Sequence, residues 1–268
     1  MIDLSIFLPA IRTPLWDRMY DSITESCTKY SWELVLCGPF CLTEYLKTKD
    51  NVKFVKDLGS PSRCAQLASF ECDGKLLYHV VDDALFFPNS IDNAILFYNK
   101  NCCRKDAINM RYKEGENYSG DSMPMEYWTT QYHGPLRLPG IPKNFKISLH
   151  HMLDASYFRE LGGYDCSFEY QNYNLHDFIF RLQSDGGIVY DSLDDVTTCN
   201  HFPGSSGDHG PINDAHVAHD EPLFLEMYSN SDILLTRKNI DINNWVQQSG
   251  LWKRRFKTIP HIYEELVK

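Results

Sequence analysis

The sequence is poor in positive charge and contains no long apolar run. Its 268 residues carry 26 Lys and Arg against 36 Asp and Glu, which gives a formal net charge of −10. This acidic balance argues against nucleic acid as a partner, because phosphate backbones are bound by clustered basic side chains. No stretch approaches the roughly 18 uninterrupted apolar residues of a membrane-spanning helix. We therefore expect a soluble protein whose membrane contact is at most peripheral.

The cysteines lack the arrangements that mark a secreted or zinc-binding protein. There are nine, an odd number, none forms a C-x-x-C pair, and Cys102 and Cys103 are adjacent. These features predict reduced thiols and a cytoplasmic location. The first residues, 1–5, lack the basic region of a secretory signal, which agrees with this prediction.

Short apolar runs that end at a breaker alternate with segments of helical periodicity in the first part of the chain. Strands are predicted at 4–9, 32–39, 51–55 and 76–81, with helices at 14–30 and 62–72. This alternation predicts an α/β fold in which a mainly parallel central sheet is flanked by helices. Residues 111–146 are rich in glycine, proline and aromatic side chains, so we expect a long functional loop there.

Two adjacent carboxylates, Asp82 and Asp83, follow the predicted strand at 76–81. The carboxyl ends of strands are where open α/β sheets bind ligands. Adjacent carboxylates repel one another and suit a shared Mg²⁺ or Mn²⁺, which can also bridge two phosphates. The alternative is a structural helix cap, because aspartate is a favoured N-cap residue.

A second group of motifs lies nearly a hundred positions later. Gly162 and Gly163 are followed by an aromatic residue and Asp165, and Arg181 lies one helical turn after Asp177. The glycines are explained either by a helix stop or by a close passage of the chain under an acceptor. Asp177 has two possible roles: it forms an ion pair with Arg181, or it takes part in catalysis.

The order of these motifs resembles the inverting glycosyltransferases of family 2, which have the GT-A fold. A first strand that ends at Pro9 is followed by a small-residue helix at 62–68. The family's Asp-x-Asp motif falls on residues 81–83, and the Gly-Gly-aromatic-Asp segment and the acidic pair follow in order. Val81 and His176 replace an aspartate and a glutamate of this pattern. Cys37 and Gly38 stand where the second strand usually ends in an aspartate.

The resemblance implies a division of the chain into two parts. Residues 1–215 are expected to form the GT-A glycosyltransferase domain, with a nucleotide-sugar-binding half at 1–105 and an acceptor-binding half at 106–215. Residues 216–268 are expected to form a C-terminal helical extension. The implied activity is transfer of a sugar from a nucleotide-sugar donor to a hydroxyl of a glycan or other acceptor.

The resemblance also implies roles for individual residues. Asp177 is the expected general base, which takes the proton of the attacking hydroxyl in an inverting reaction. Asp83 is the expected ligand of a divalent metal, Mn²⁺ or Mg²⁺, with His201 or His209 as a second ligand. The remaining donor-binding candidates are Pro9, Arg12, Asp57, Arg63 and Asp82, and the acceptor-binding candidates are Trp128, Gly163 and His176.

The departures from the family pattern motivate a second hypothesis, a catalytically degenerate module that binds a glycan or a partner without turnover. A sugar nucleotidyltransferase would need a glycine-rich, basic segment after the first strand, and residues 10–14 do not supply one. The C-terminal residues 245–268 mix aromatic and basic side chains. We expect them to pack against the domain, with Trp252 or Phe256 buried, rather than to bind a membrane.

Overall fold

The computed structural model describes residues 2–114, 141, 145–199, 214–230 and 232–248, with only the backbone of Lys113, Glu114 and Gln248. A central sheet organises these residues. In spatial order its strands are β3 (Val52–Lys56), β2 (Trp32–Gly38), β1 (Leu4–Pro9), β4 (Leu76–His79), β8 (His151–Asp154), β6 (Ala107–Asn109) and β9 (Val189–Asp191). A smaller sheet has the order β5 (Ala84–Phe86), β10 (Thr197–Cys199) and β7 (Tyr112–Glu114).

Helices cover both faces of the central sheet. The α-helices are α1 (Thr13–Ser26), α2 (Pro61–Phe70), α3 (Ser90–Asn101), α4 (Ala155–Glu160), α5 (Gln171–Ser184), α6 (Glu221–Met227) and α7 (Ile233–Thr236). Short 3₁₀ turns span Leu46–Thr48 and Asn244–Gln248, and a π-helical turn spans His216–Asp220. None of the described helices is long and apolar enough to cross a membrane.

The strand directions confirm the predicted, mainly parallel sheet. β1 lies between β2 and β4 and is parallel to both, and β2 is parallel to β3. β8 is the exception, because it runs antiparallel to β4 and β6. The chain leaves β1 towards β2 and later returns on the other side as β4, so the strand order switches between β1 and β4. Such a switch point opens a crevice at the carboxyl ends of the two strands.

The side chains of β1 explain why both faces of the sheet are covered. Leu4, Ile6 and Leu8 belong to one hydrophobic cluster, and Phe7 belongs to the cluster on the opposite face. Successive strand residues point to opposite faces, so an uninterrupted apolar run requires a hydrophobic layer on each side. The first cluster includes Trp16 of α1, and the second includes Phe178 of α5.

The described part of the C-terminal segment combines short helices and helical turns with irregular stretches, and it is built into the main core. Phe224, Tyr228 and Leu234 belong to the same hydrophobic cluster as β1. Arg63 of α2 donates a hydrogen bond to the backbone carbonyl of Trp245 (2.6 Å), and its guanidinium lies 5.0 Å from the centre of the Trp245 ring. The predicted burial of Trp252 or Phe256 concerns residues outside the described ranges.

Two consecutive glycines are required where the extension passes α4. Gly162 and Gly163 have φ angles of +86° and +67°. A Cβ on Gly162 would meet the backbone carbonyl of Ile240, and one on Gly163 would meet the side chain of Gln66. These glycines therefore end α4 and admit the C-terminal segment, and Gly163 has no described contact with the cavity described below.

Gly186 provides a matched control for Gly162, because its φ is +92° but a Cβ there would have nothing within 4 Å. We expect Gly186→Ala to lower the free energy of unfolding by about 1 kcal/mol through backbone strain alone. Gly162→Ala should cost at least about 2 kcal/mol more, since Ile240 must also move. Equal unfolding midpoints for the two variants in urea would contradict the packing explanation.

Candidate active site

A cavity of about 280 Å³ opens at the carboxyl ends of β1 and β4. One wall carries charged side chains from the β1–α1 loop and the segment after β4. The opposite wall carries neutral polar side chains from β4, from the segment before β8 and from α5. The residues that line this cavity include Pro9, Ile11, Arg12, Pro61, His79, Asp82, Asp83, Tyr112, Leu149, His150, Gln171 and Leu175.

Asp82 fastens the loop between β1 and α1. One carboxylate oxygen accepts hydrogen bonds from the backbone N–H groups of Ile11 (2.7 Å) and Arg12 (2.6 Å), and the Trp16 indole nitrogen lies 3.4 Å from it. The other oxygen forms an ion pair with the Arg12 guanidinium. Asp82 therefore holds the loop that precedes α1 and fixes the position of the Arg12 guanidinium.

Asp83 is the second charged group of this wall. Its side chain is 5% exposed, and a carboxylate oxygen lies 4.0 Å from the Arg12 guanidinium. A buried carboxylate beside a cavity suits a hard divalent cation, because Mg²⁺ commonly uses one or two protein carboxylates together with substrate phosphates. The described residues hold no cluster of three or more metal-ligating side chains. His201 and His209, the predicted second ligands, lie outside the described ranges.

The neutral wall contains two buried histidines that the sequence-based analysis did not select. Nδ1 of His79 lies 3.2 Å from the Leu149 carbonyl, and Nε2 lies 2.9 Å from the Gln171 amide nitrogen. Burial lowers the pKa of His79 to about 4, although these two hydrogen bonds act in the opposite direction. Burial, with a smaller contribution from His79, lowers the pKa of His150 to about 3. Both rings are therefore neutral at physiological pH.

Asp57 and Arg63, predicted to contact the donor, contact each other instead. Nε of Arg63 lies 3.0 and 2.8 Å from the two carboxylate oxygens of Asp57. The remaining described hydrogen bond of the guanidinium goes to Trp245, as given above. The prediction that this pair contacts a phosphate or base is not supported, because its charges join α2 to the C-terminal segment and neither residue lines the cavity.

Asp177 does not have the setting of a general base. Its side chain is fully buried, and one oxygen lies 2.9 Å from Arg181 Nε. The other oxygen accepts hydrogen bonds from Tyr228 Oη and Arg237 Nε, both at 2.8 Å. Burial raises the pKa of Asp177, but Arg181 and Arg237 outweigh it and leave the pKa lowered overall. A general base needs an oxygen within reach of the acceptor hydroxyl. The assignment of Asp177 as base is therefore corrected to a structural role.

Helix geometry explains why the acid lies away from the cavity. Gln171 and Leu175 of α5 line the cavity and are one turn apart. Asp177 is two positions beyond Leu175, which places it about 200° around the helix, on the opposite face. Its neighbour His176 is 5% exposed and does not line the cavity, so its predicted acceptor contact is not supported either. Trp128, the remaining acceptor candidate, lies outside the described ranges.

Asp177→Asn should destabilise the protein, because it leaves Arg181 and Arg237 without their shared carboxylate. We expect a loss of about 3–5 kcal/mol in the free energy of unfolding, the range for a broken buried ion pair. Urea denaturation followed by circular dichroism measures it. The control is Glu44→Gln, which breaks the exposed pair with Lys47 and should leave the midpoint unchanged.

The stability difference between wild type and Asp177→Asn should also depend on pH in the acidic range. A carboxylate whose pKa is lowered on folding stabilises the native state above its ordinary value of 3.8. The stability difference between wild type and Asp177→Asn should therefore be constant at neutral pH. It should shrink only as the pH falls below about 4, through the lower folded pKa. Unchanged stability combined with complete loss of transfer would restore Asp177 as a catalytic candidate.

No protein-family model matches this sequence, and no curated protein matches it either. The structure, by contrast, resembles crystal structures of S. aureus TarS. The chain aligns with TarS 1-349 over 99% of its own length and 83% of that chain, with a TM-score of 0.54 and 14% identity. It aligns equally with the complex of that fragment with UDP, at 13% identity, and with the UDP-GlcNAc complex, at 14%. The likeness confirms the fold: the chain has the GT-A architecture, with a mainly parallel central sheet flanked by helices.

Proposed function

We propose that the protein is a glycosyltransferase that moves a sugar from a nucleotide-sugar donor to a hydroxyl of a glycan or other acceptor. One observation carries the proposal: the Arg12–Asp82–Asp83 wall lies in a cavity at the β1/β4 switch point. This is the ligand-binding crevice of open α/β sheets. TarS, which has the same fold, has been solved with UDP and with UDP-GlcNAc.

The charged wall suits the diphosphate of such a donor. Pro9 and Pro61 border the cavity on the side of β1–β3, where the nucleoside would lie. Arg12 would then face the phosphates, and Asp82 fixes its position. The described residues that line the cavity include one arginine and two aspartates, so negative charge exceeds positive charge there. A bound diphosphate therefore requires an additional cation.

A divalent ion at Asp83 would supply that charge. Asp83 would hold Mn²⁺ or Mg²⁺, which would offset the negative charge that develops on the leaving nucleoside diphosphate. The residues of this chain contribute one carboxylate ligand and a guanidinium that is fixed before the donor arrives. Preorganised charges of this kind need no rearrangement during the reaction. His201 or His209 remains the predicted second ligand.

The acceptor side lacks an assigned base, because Asp177 is buried in ion pairs. Inversion at the anomeric carbon therefore remains a prediction from the family resemblance. The anomeric configuration of the product, measured by NMR during turnover, tests it directly.

Metal-dependent donor binding should depend on Asp83. We expect wild-type protein to bind at least one of UDP, GDP and dTDP in the presence of Mn²⁺, measured by isothermal titration calorimetry. Asp83→Asn keeps the size of the side chain but removes a charged ligand, so the affinity should fall about 10-fold or more. Asp73→Asn removes an exposed carboxylate and should bind normally. Full affinity of Asp83→Asn for the nucleotide with Mn²⁺ would contradict the metal assignment.

A binding module without turnover is the second candidate. The burial of Asp177 and the presence of Val81 at the first position of the metal motif favour it. Such a module binds a glycan or a partner, and only the enzyme binds a nucleotide-sugar donor and releases its sugar. A screen of UDP-, GDP- and dTDP-sugars with and without Mn²⁺ separates them, because donor hydrolysis or transfer establishes an enzyme. Neither reaction, together with no thermal stabilisation by any nucleoside diphosphate in the presence of Mn²⁺, would favour the module.

A further inference from the structure

The neutral wall of the cavity has a fixed hydrogen-bonding pattern. The Leu149 carbonyl can only accept a hydrogen bond, so the proton of His79 sits on Nδ1 (3.2 Å) and Nε2 must accept. Nε2 accepts from the amide nitrogen of Gln171 at 2.9 Å. His79 thereby orients the Gln171 amide, whose carbonyl oxygen makes no hydrogen bond within the described part of the chain. Gln171 is 8% exposed and lines the cavity.

His150 presents a second uncommitted polar group on the same wall. It is 5% exposed, and its ring centre lies 4.6 Å from that of Tyr112. Its Nδ1 is buried and has no hydrogen-bond partner among the described residues. Native proteins rarely leave a buried polar group unpaired without a functional reason.

The groups that surround His150 keep it uncharged. Tyr112 packs on its ring, and His79 acts on it electrostatically from β4, while His151 follows it directly in β8. Asp82 and Asp83 line the cavity from the charged wall. Burial lowers the pKa of His150 to about 3, so the ring can accept one hydrogen bond and donate one at neutral pH.

The position of this wall relative to the nucleotide side defines what it could bind. The β1–α1 loop and Pro61 lie towards β3, whereas His150 and Leu149 precede β8, on the other side of β4. A donor with its diphosphate at Arg12 and Asp83 would extend across β4 towards these residues. Neutral groups that both donate and accept hydrogen bonds suit hydroxyls better than phosphates or cations.

We propose that His150 and Gln171 bind hydroxyl groups of the donor's sugar and thereby select which sugar the cavity accepts. This inference rests on the proposed function, because it assumes that a sugar nucleotide occupies the cavity. Gln171 offers an oriented carbonyl oxygen, and His150 offers an imidazole held against Tyr112. His79 acts as a positioning residue for Gln171.

Two substitutions at one position separate hydrogen bonding from packing. His150→Phe preserves an aromatic ring against Tyr112 but removes both ring nitrogens, whereas His150→Gln restores a neutral donor and acceptor. Isothermal titration calorimetry with Mn²⁺ compares UDP with UDP-glucose, UDP-galactose and UDP-GlcNAc. Steady-state kinetics on the best donor then give KM for the donor and for the acceptor.

For His150→Phe we expect affinity for the preferred UDP-sugar to fall about 3- to 10-fold, the effect of losing one hydrogen bond. Affinity for UDP should not change, and His150→Gln should recover most of the loss. Equal losses for UDP and UDP-sugars would overturn the proposal in favour of diphosphate binding. An increase confined to the acceptor KM would place the hydroxyl on the acceptor, which also overturns it. Failure of wild type to bind any nucleotide in a panel that adds GDP and dTDP would contradict the proposed function itself.

Discussion

The carboxylate of Asp82 is the interaction on which the arrangement of the cavity depends. β1 and β4 are adjacent and parallel, so the chain leaves both strands at the same edge of the sheet. Asp82 bridges these two exits through the backbone N–H groups of Ile11 and Arg12. Because the same carboxylate also pairs with the Arg12 guanidinium, loop position and charge position are set together. Loss of this carboxylate would release the loop, the arginine and the start of α1 at once.

Two aspartates that the sequence predicts as functional residues have structural roles for the same reason. Their carboxylate oxygens already accept hydrogen bonds from other parts of the protein. Asp82 accepts from backbone donors and an arginine, and Asp177 accepts from two arginines and Tyr228. The two arginines around Asp177 lower its pKa, so this carboxylate is a poor proton acceptor. Asp83 also lines the cavity, and one of its carboxylate oxygens lies 4.0 Å from the Arg12 guanidinium.

Interactions between residues that are close in the sequence could be predicted, whereas interactions between residues that are far apart in the sequence could not. The apolar runs of β1, β2 and β4 identify the sheet because burial on both faces leaves a local pattern. The i,i+4 pair of Asp177 with Arg181 is local, and it is present. The partners that decide the role of Asp177 are Tyr228 and Arg237, which lie 51 and 60 positions away. His150 and Gln171 were also missed, because single polar residues at element ends carry no periodic signal. The sheet order brings His150 to the cavity, and the contact of α5 with His79 brings Gln171 there.

The C-terminal segment links parts of the chain that are far apart in sequence. Gln66 and Arg63 of α2 donate hydrogen bonds to the backbone carbonyls of Ile242 and Trp245, at separations of 176 and 182 residues. The Asn244 side chain bonds the backbone of Cys166, in the loop after Gly163. Contacts of this length carry a large loop-closure entropy, so they are favourable only once α2 and the 162–166 loop are already in place. Gly162 leaves the space that Ile240 occupies, and Gly163 leaves the space that the Gln66 side chain occupies. Because Arg237 on this segment also completes the partners of Asp177, docking of the segment compensates the carboxylate buried in α5.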